Sequence, residues 1–339
     1  MRILVFFLIV VFYSCSSGSD ESSSPNNSNT NPTSNNLWCV PIENIAGGVL
    51  EFPIIDNPQY NSVSEIESIN YLADNSKVAI LKIEDQVFVY PYDYTNYSEV
   101  VNDTFQDFNF ALTYCPITET ALCFNRNLVG NETITIMASG YLYKENLVHS
   151  DTNGKYFWSQ MLNEGLRDSS KDIKLNTINI IETNWLNVKL QFQNALVYNH
   201  PNINNCDCDE TFESIDFDNL FGVINNQVNN KSVHLFNYNN FVNGKAIDFI
   251  SVNGKNTVVV GSKENIFFNA FYIPTNLDFE ALNKNEFPNI LTDNEGNIWD
   301  IFGKAVQGPR EGQNLESPLS YFGAEWAWNE FFDNITVHN

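Results

Sequence analysis

The sequence predicts a mainly β protein with a few short helices, its body written as two tandem pseudo-repeats packed as one body; an α+β arrangement stays open. Three observations carry this. Apolar runs are short, β-branched or aromatic, and punctuated by Asn, Asp or Gly, which is the strand pattern. Helical periodicity is scarce. A turn-and-tryptophan unit occurs twice: Asp151-Thr-Asn-Gly154 leads into Trp158 and then Trp185, and Asp293-Asn-Glu-Gly296 leads into Trp299 and then Trp326. Each tryptophan pair is 27 residues apart (185 − 158 and 326 − 299).

The chain opens with Arg2 and an apolar run from Ile3 to Tyr13, then Ser14-Cys15 and a polar stretch, the layout of an export signal. The run is too short to cross a bilayer as a helix. It resembles a bacterial lipoprotein signal, which makes residues 1–15 the signal peptide and Cys15 the lipidated first residue of the mature protein. Phe12 departs from the Leu or Val usual at that place, so a cleaved signal or an uncleaved anchor is the competing reading. Asp20-Glu21 resembles the acidic tag that sends some lipoproteins to the outer face of the outer membrane, and predicts cell-surface exposure. Residues 16–36 hold little but Ser, Asn, Pro, Gly and Thr; they cannot bury enough apolar area to offset backbone entropy and read as a disordered tether. The membrane is then a partner through lipid alone.

Folded sequence starts near Leu37-Trp38, with 37–74 an N-terminal segment, 75–200 the first repeat, 201–214 an acidic loop and 215–339 the second repeat. In the first repeat strands are expected at Val78–Ile83, Gln86–Tyr90, Phe108–Tyr114, Ala121–Phe124 and Thr133–Met137. In the second they are expected at Ser232–Phe236, Ala246–Ile250, Thr257–Val260 and Ile266–Phe268. Helices are expected at Glu182–Phe192 and Tyr321–Phe332, equivalent places that carry Trp185 and Trp326. Edges and half-buried faces in each copy need cover, so the copies are expected to pack together.

With 17 basic and 41 acidic residues the net charge is −24, a field that repels phosphate backbones, excludes nucleic acid as a partner and tolerates cations. With Cys15 assigned to lipid, Cys39, Cys115, Cys123, Cys206 and Cys208 remain, and an odd number in an oxidising compartment leaves at least one thiol unpaired. Cys206-Asp-Cys208 lies in an acidic loop with soft and hard metal ligands; a disulfide to another part of the chain or a plain exposed loop are the alternatives.

Polar motifs gather in the first repeat: Tyr90-Pro91, Glu99-Val-Val-Asn102-Asp103, Leu112-Thr-Tyr114-Cys115-Pro116, Ser139-Gly-Tyr-Leu-Tyr143 onward through Asn146 and His149 to Asp151, and Trp158-Ser159-Gln160. In this order they resemble a bacterial and archaeal family known as domain of unknown function number three-one-seven-nine. Its hallmarks run Y-P, H-E-I-V-N-D, T-Y-C-P-L-C-G or T-Y-C-P-L-T-G, S-G-L-L-Y-N-S-D-L-V, Y-D and W-S-Q. The resemblance extends over about 40–339 and includes the closing segment Leu291–Pro309. Two departures bear on chemistry. The family His before Glu is Ser98 here, and the second Cys of C-P-L-C is Thr118, which excludes a two-cysteine redox or zinc site on Cys115.

Polar positions present in only one copy are candidates for function, and shared ones for fold. Cys115-Pro116 falls opposite Gly261-Ser262, His149 opposite Leu291, and Ser159-Gln160 opposite Asp300-Ile301, so the second copy reads as degenerate scaffold. Trp158 with Trp299 and Asp151 with Asp293 recur, and read as core plugs and turn formers. The expected ligand-binding residues are Asn102, Asp103, Tyr114, Cys115, Tyr143, Asn146 and Gln160, whose aromatic and amide groups suit a glycan or small polar molecule. The alternative is a thiol-dependent enzyme or single-metal site, with Cys115 as nucleophile or ligand and His149 or Glu99 as base. Against it stand an inert packed thiol and an ordinary surface histidine. No nucleophile elbow, H-E-x-x-H, phosphate loop or dinucleotide fingerprint names a reaction or a cofactor.

Overall fold

The computed structural model describes residues 37–48, 51–128, 132–199, 214–227, 230–241 and 246–339. Among them strands dominate, in six small sheets, with four short α-helices: α1 (Val63–Ile69), α2 (Tyr92–Thr95), α3 (Trp185–Gln191) and α4 (Glu325–Phe331). No helix of the described residues is long and apolar enough to cross a membrane. The mainly β class with short helices is therefore as the strand pattern predicts.

The hairpin of Lys77–Ile83 and Gln86–Pro91 starts the first sheet. Val100–Phe105, Phe108–Cys115 and Thr120–Asn125 form the second, and Ile136–Tyr143, Asn146–Asp151 and Phe157–Ser159 the third. The chain then returns to the first sheet: Ile181–Asn184 pairs antiparallel with Lys77–Ile83, α3 crosses over, and Leu196–Asn199 pairs parallel with Gln86–Pro91. The other half follows the same order. A hairpin of Leu220–Gln227 and Asn230–Phe236 is followed by a sheet of Ile247–Val252, Lys255–Ser262 and Phe267–Tyr272, then by a sheet running from Phe279–Ala281 to Ala305–Gln307. Ser320–Gly323 returns antiparallel to Leu220–Gln227, and after α4 Asn334–His338 runs parallel to Asn230–Phe236. The N-terminal strands Ile45–Gly47, Ile55–Asp56 and Gln59–Ser62 add an edge to the third, second and first sheets in turn.

This arrangement resembles a six-bladed β-propeller of small sheets, which corrects the expectation of two tandem pseudo-repeats packed as one body. What recurs is the order of connections, while the cores ignore the boundary between halves. One cluster joins Val78, Tyr92 and Trp185 to Val260, Phe271 and Trp299; another joins Phe124 and Trp158 to Leu220 and Trp328. A sheet of three to five strands leaves an apolar face too large for its own short loops to cover, so faces from both halves close on one another.

Local differences have local causes. Glu182–Asn184 continues a strand, and α3 starts only after Asn184, whose side-chain oxygen accepts from Asn187 N at 3.0 Å as an N-cap. Helical spacing in α4 buries Ala327, Trp328 and Phe331, leaving Trp326 42% exposed, so Trp326 is not the equivalent of the buried Trp185. Trp158 and Trp299 are both core residues, and both aspartates hold turns: Asp151 Oδ1 accepts from Tyr156 N at 2.6 Å, and Asp293 Oδ1 from Asn297 N at 3.1 Å. The strand expected at Thr133–Met137 begins at Ile136 and runs on to Tyr143.

Candidate functional site

Strand alternation puts Tyr114 and Cys115 on opposite faces at the end of a central strand, where Pro116–Glu119 turn into Thr120–Asn125. Glu119 closes the turn in the left-handed region, at φ 52°. Tyr114 stacks on Tyr92 with ring centres 4.3 Å apart. Cys115 is buried, its Sγ 4.0 Å from the Glu145 carbonyl oxygen, and burial pushes its thiol pKa up. Beside it lies a closed polar network. Asn146 Nδ2 donates to Thr118 Oγ1 at 2.8 Å and to Gln160 Oε1 at 2.9 Å, Thr120 Oγ1 donates to Gln160 Oε1 at 2.6 Å, and Gln160 Nε2 donates to Thr113 Oγ1 at 2.9 Å. All five side chains are sealed from solvent, and mutual satisfaction is what permits burial. Asn146 and Gln160 thus meet, but in the interior and not in a cavity wall.

The remaining candidates are dispersed. Asn102 is a buried clamp: its Nδ2 donates to Ile55 O and Ile136 O at 3.0 and 2.8 Å, and its Oδ1 accepts from Ile136 N at 2.7 Å. Asp103 is buried against the hydroxyls of Tyr60 and Tyr90, which lie 2.8 Å from each other. Tyr143 packs edge-on against Phe331. Glu99 sits half-buried at φ 57°, and burial pushes its carboxyl up to about 7.

His149 lies between Phe124 and Trp158, both ring nitrogens buried without a hydrogen-bond partner, and burial lowers its pKa to about 3. It is therefore a neutral imidazole at physiological pH and makes no hydrogen bond to Cys115. The thiol–imidazole pair of the enzyme alternative is not formed: one member is a protonated buried thiol, the other a desolvated ring. Among the described residues no group of three or more His, Cys, Asp or Glu is arranged to hold a metal ion, so Cys115, His149 and a carboxylate do not converge either. Cys15, Cys206 and Cys208 lie outside the described residues.

The titratable cluster that does form was not singled out from the sequence. Lys77, 1% exposed, opens a central strand, its Nζ 3.4 Å from Glu182 Oε2, 3.5 Å from Glu119 Oε2 and 5.1 Å from the centre of the Tyr92 ring. Tyr92 donates its hydroxyl to Glu182 Oε2 at 3.1 Å, and Asn219 Nδ2 donates to Glu119 Oε2 at 2.6 Å. Burial raises the Glu182 pKa, opposed by Lys77 and the Tyr92 hydroxyl. Glu119 is the member that reaches solvent, 34% exposed, and it lines a cavity of about 460 Å³ with Tyr114, Pro116, Ser214, Ile215 and Asp216. The cavity is acidic at its rim, suited to a ligand that offers hydroxyl or ammonium donors.

The two halves differ at this cluster once their strands and helices are matched in the structure. Aligning the first helical residues, Trp185 of α3 and Glu325 of α4, sets Glu182 opposite Phe322. Extending the Gly323–Leu220 pairing by one residue sets Lys77, the partner of Asn184, opposite Asn219. A charge pair present in only one half is the pattern that marks function, and it was masked because Lys77 and Glu182 border apolar runs.

A mainly β protein with a small acidic cavity beside its Thr113-Tyr-Cys-Pro116 motif is the class these observations define. Residues 51–335 match the family described as protein of unknown function (DUF3179), and the chain belongs to it. No curated protein and no solved structure matches the chain.

Proposed function

We propose that this protein is an exported, lipid-anchored binding protein, held to the outer membrane through Cys15 by the tether of residues 16–36, and that it takes a small hydroxyl-rich ligand, a glycan or polar metabolite, at the Tyr114–Glu119–Asp216 cavity. The observation that carries the reading is Glu119, which joins the buried Lys77–Glu182 pair to the solvent-facing wall. Lys77 holds the Glu119 carboxylate in place, so its oxygens are oriented before a ligand arrives, which limits the ordering cost of binding. A rim carrying Glu119 and Asp216 accepts hydrogen bonds and disfavours anionic ligands.

Saturation-transfer NMR with a panel of neutral sugars, amino sugars and short oligosaccharides tests the ligand. At least one member is expected to bind, with the signal lost in Glu119→Gln and in Asp216→Asn. A panel without a binder, or a binder indifferent to both changes, defeats the reading. For the anchor, Cys15→Ala is expected to release the protein from the membrane fraction or to block maturation; retention with an unprocessed N-terminus speaks against lipidation.

A further inference from the structure

We infer that His234 and His338 form a binding site for a divalent transition-metal ion, zinc or copper by ligand type, with Asp248 as the carboxylate that orients His338. The strand register brings the two together. In the parallel pair of Asn230–Phe236 and Asn334–His338, His234 is opposite Thr336, and His338 lies two residues further along on the same face. The rings therefore meet diagonally across adjacent strands, with His234 Nδ1 2.9 Å from His338 Nε2. Two imidazole nitrogens bound to one tetrahedral zinc ion at about 2.0–2.1 Å lie roughly 3.3 Å from each other, so the pair needs to open by only a few tenths of an ångström.

The surroundings are those of a ligating histidine. Metal-bound histidines usually present the second ring nitrogen to a carboxylate, which fixes tautomer and orientation. Here Asp248 Oδ2 is 3.6 Å from His338 Nδ1, the nitrogen that faces away from His234. Phe236 stacks on the His338 ring at 4.5 Å and 15°, holding its plane. The site is open to an incoming ion, His338 being 20% and Asp248 28% exposed, and the net charge of −24 raises the local cation concentration. Among the described residues no third His, Cys, Asp or Glu completes the set. Imidazole ligands suit zinc, copper and nickel over calcium or magnesium. Asn334–His338 is an edge strand, so a bound ion ties the end of the chain to its sheet.

The test uses the tagless mature chain stripped with a chelator, carrying Cys206→Ser and Cys208→Ser to remove competing thiols, titrated calorimetrically with Zn²⁺ alone. One equivalent is expected to bind. His234→Asn and His338→Asn each lower the affinity at least tenfold, and Asp248→Asn lowers it about tenfold. Circular dichroism of the metal-free variants checks that they keep the wild-type fold. An unchanged titration in both histidine variants overturns the site. Electron paramagnetic resonance of Cu²⁺ on the unmutated protein gives an answer independent of the variants: imidazole nitrogen coupling supports the pair, and its absence rules it out.

Discussion

Lys77 Nζ lies 3.4 Å from Glu182 Oε2 with both side chains shut away from solvent, at 1% and 5% exposure. Because Lys77 pairs with Asn184 across the two strands, Glu182 is its diagonal neighbour on the same face, and the strand register alone brings the charges together. Removing Lys77 leaves the buried Glu182 carboxylate with the Tyr92 hydroxyl but no opposite charge, whereas removing both takes the uncompensated charge away with its partner.

Lys77→Met is accordingly expected to destabilise by about 3 to 5 kcal/mol, and Lys77→Met combined with Glu182→Leu by clearly less than the sum of the single changes. Urea unfolding at neutral pH measures this. Simple additivity means that the two groups are not coupled.

Glu99 has its carboxyl raised to about 7 by burial. A carboxyl with a raised folded pKa binds its proton more tightly when folded, so the contribution to stability is complete below the unfolded value and is lost as pH climbs to the folded one. Stability should therefore fall between about pH 4.5 and 7, by an amount on the order of 1 to 3 kcal/mol. Glu99→Gln should flatten that slope and be the more stable protein at pH 7.5. A variant with the wild-type slope contradicts the assignment to Glu99.

His149 works in the opposite direction. Burial lowers its pKa to about 3, so the unfolded chain takes up a proton that the folded chain refuses, and stability is lost as pH falls from about 6.5 toward that value. His149→Phe keeps an aromatic ring between Phe124 and Trp158 while removing two nitrogens that lack partners. It is expected to gain about 1 to 3 kcal/mol at neutral pH and more at pH 5. Loss of stability at both values identifies His149 as a needed polar group.

Alkylation with iodoacetamide, mapped by peptide mass, separates the cysteines. Cys39 is exposed and Cys115 and Cys123 are buried, so native protein should label at Cys39 and stay silent at the other two until denaturant is added. Labelling of native Cys115 at the rate of Cys39 brings the thiol chemistry back into play.

Much of the fold was legible because strands announce themselves locally. Gln86–Pro91 and Phe108–Cys115 are alternating or continuous apolar runs between turn residues, and each was read to within a residue. The α4 tryptophan was misread because Trp326 and Trp328 stand two positions apart, and only packing decides which of them faces the core. The polar candidates failed to form one cavity for a related reason. A buried Asn or Gln that satisfies its neighbours and one that waits for a ligand are identical in sequence; Asn146 and Gln160 are of the first kind because Thr113, Thr118 and Thr120 reach them from a neighbouring sheet.

The sequence by itself determined the strand-rich class, the family, and the turn-forming roles of Asp151 and Asp293, since these rest on periodicity, ordered motifs and turn chemistry within a few residues. Tertiary structure alone decided that six small sheets share cores across the halves, that Lys77 meets Glu182 and Glu119, and that His234 faces His338. Those contacts join residues roughly 40 to 105 positions apart, and sequence spacing says nothing about them until sheet register has put the strands side by side.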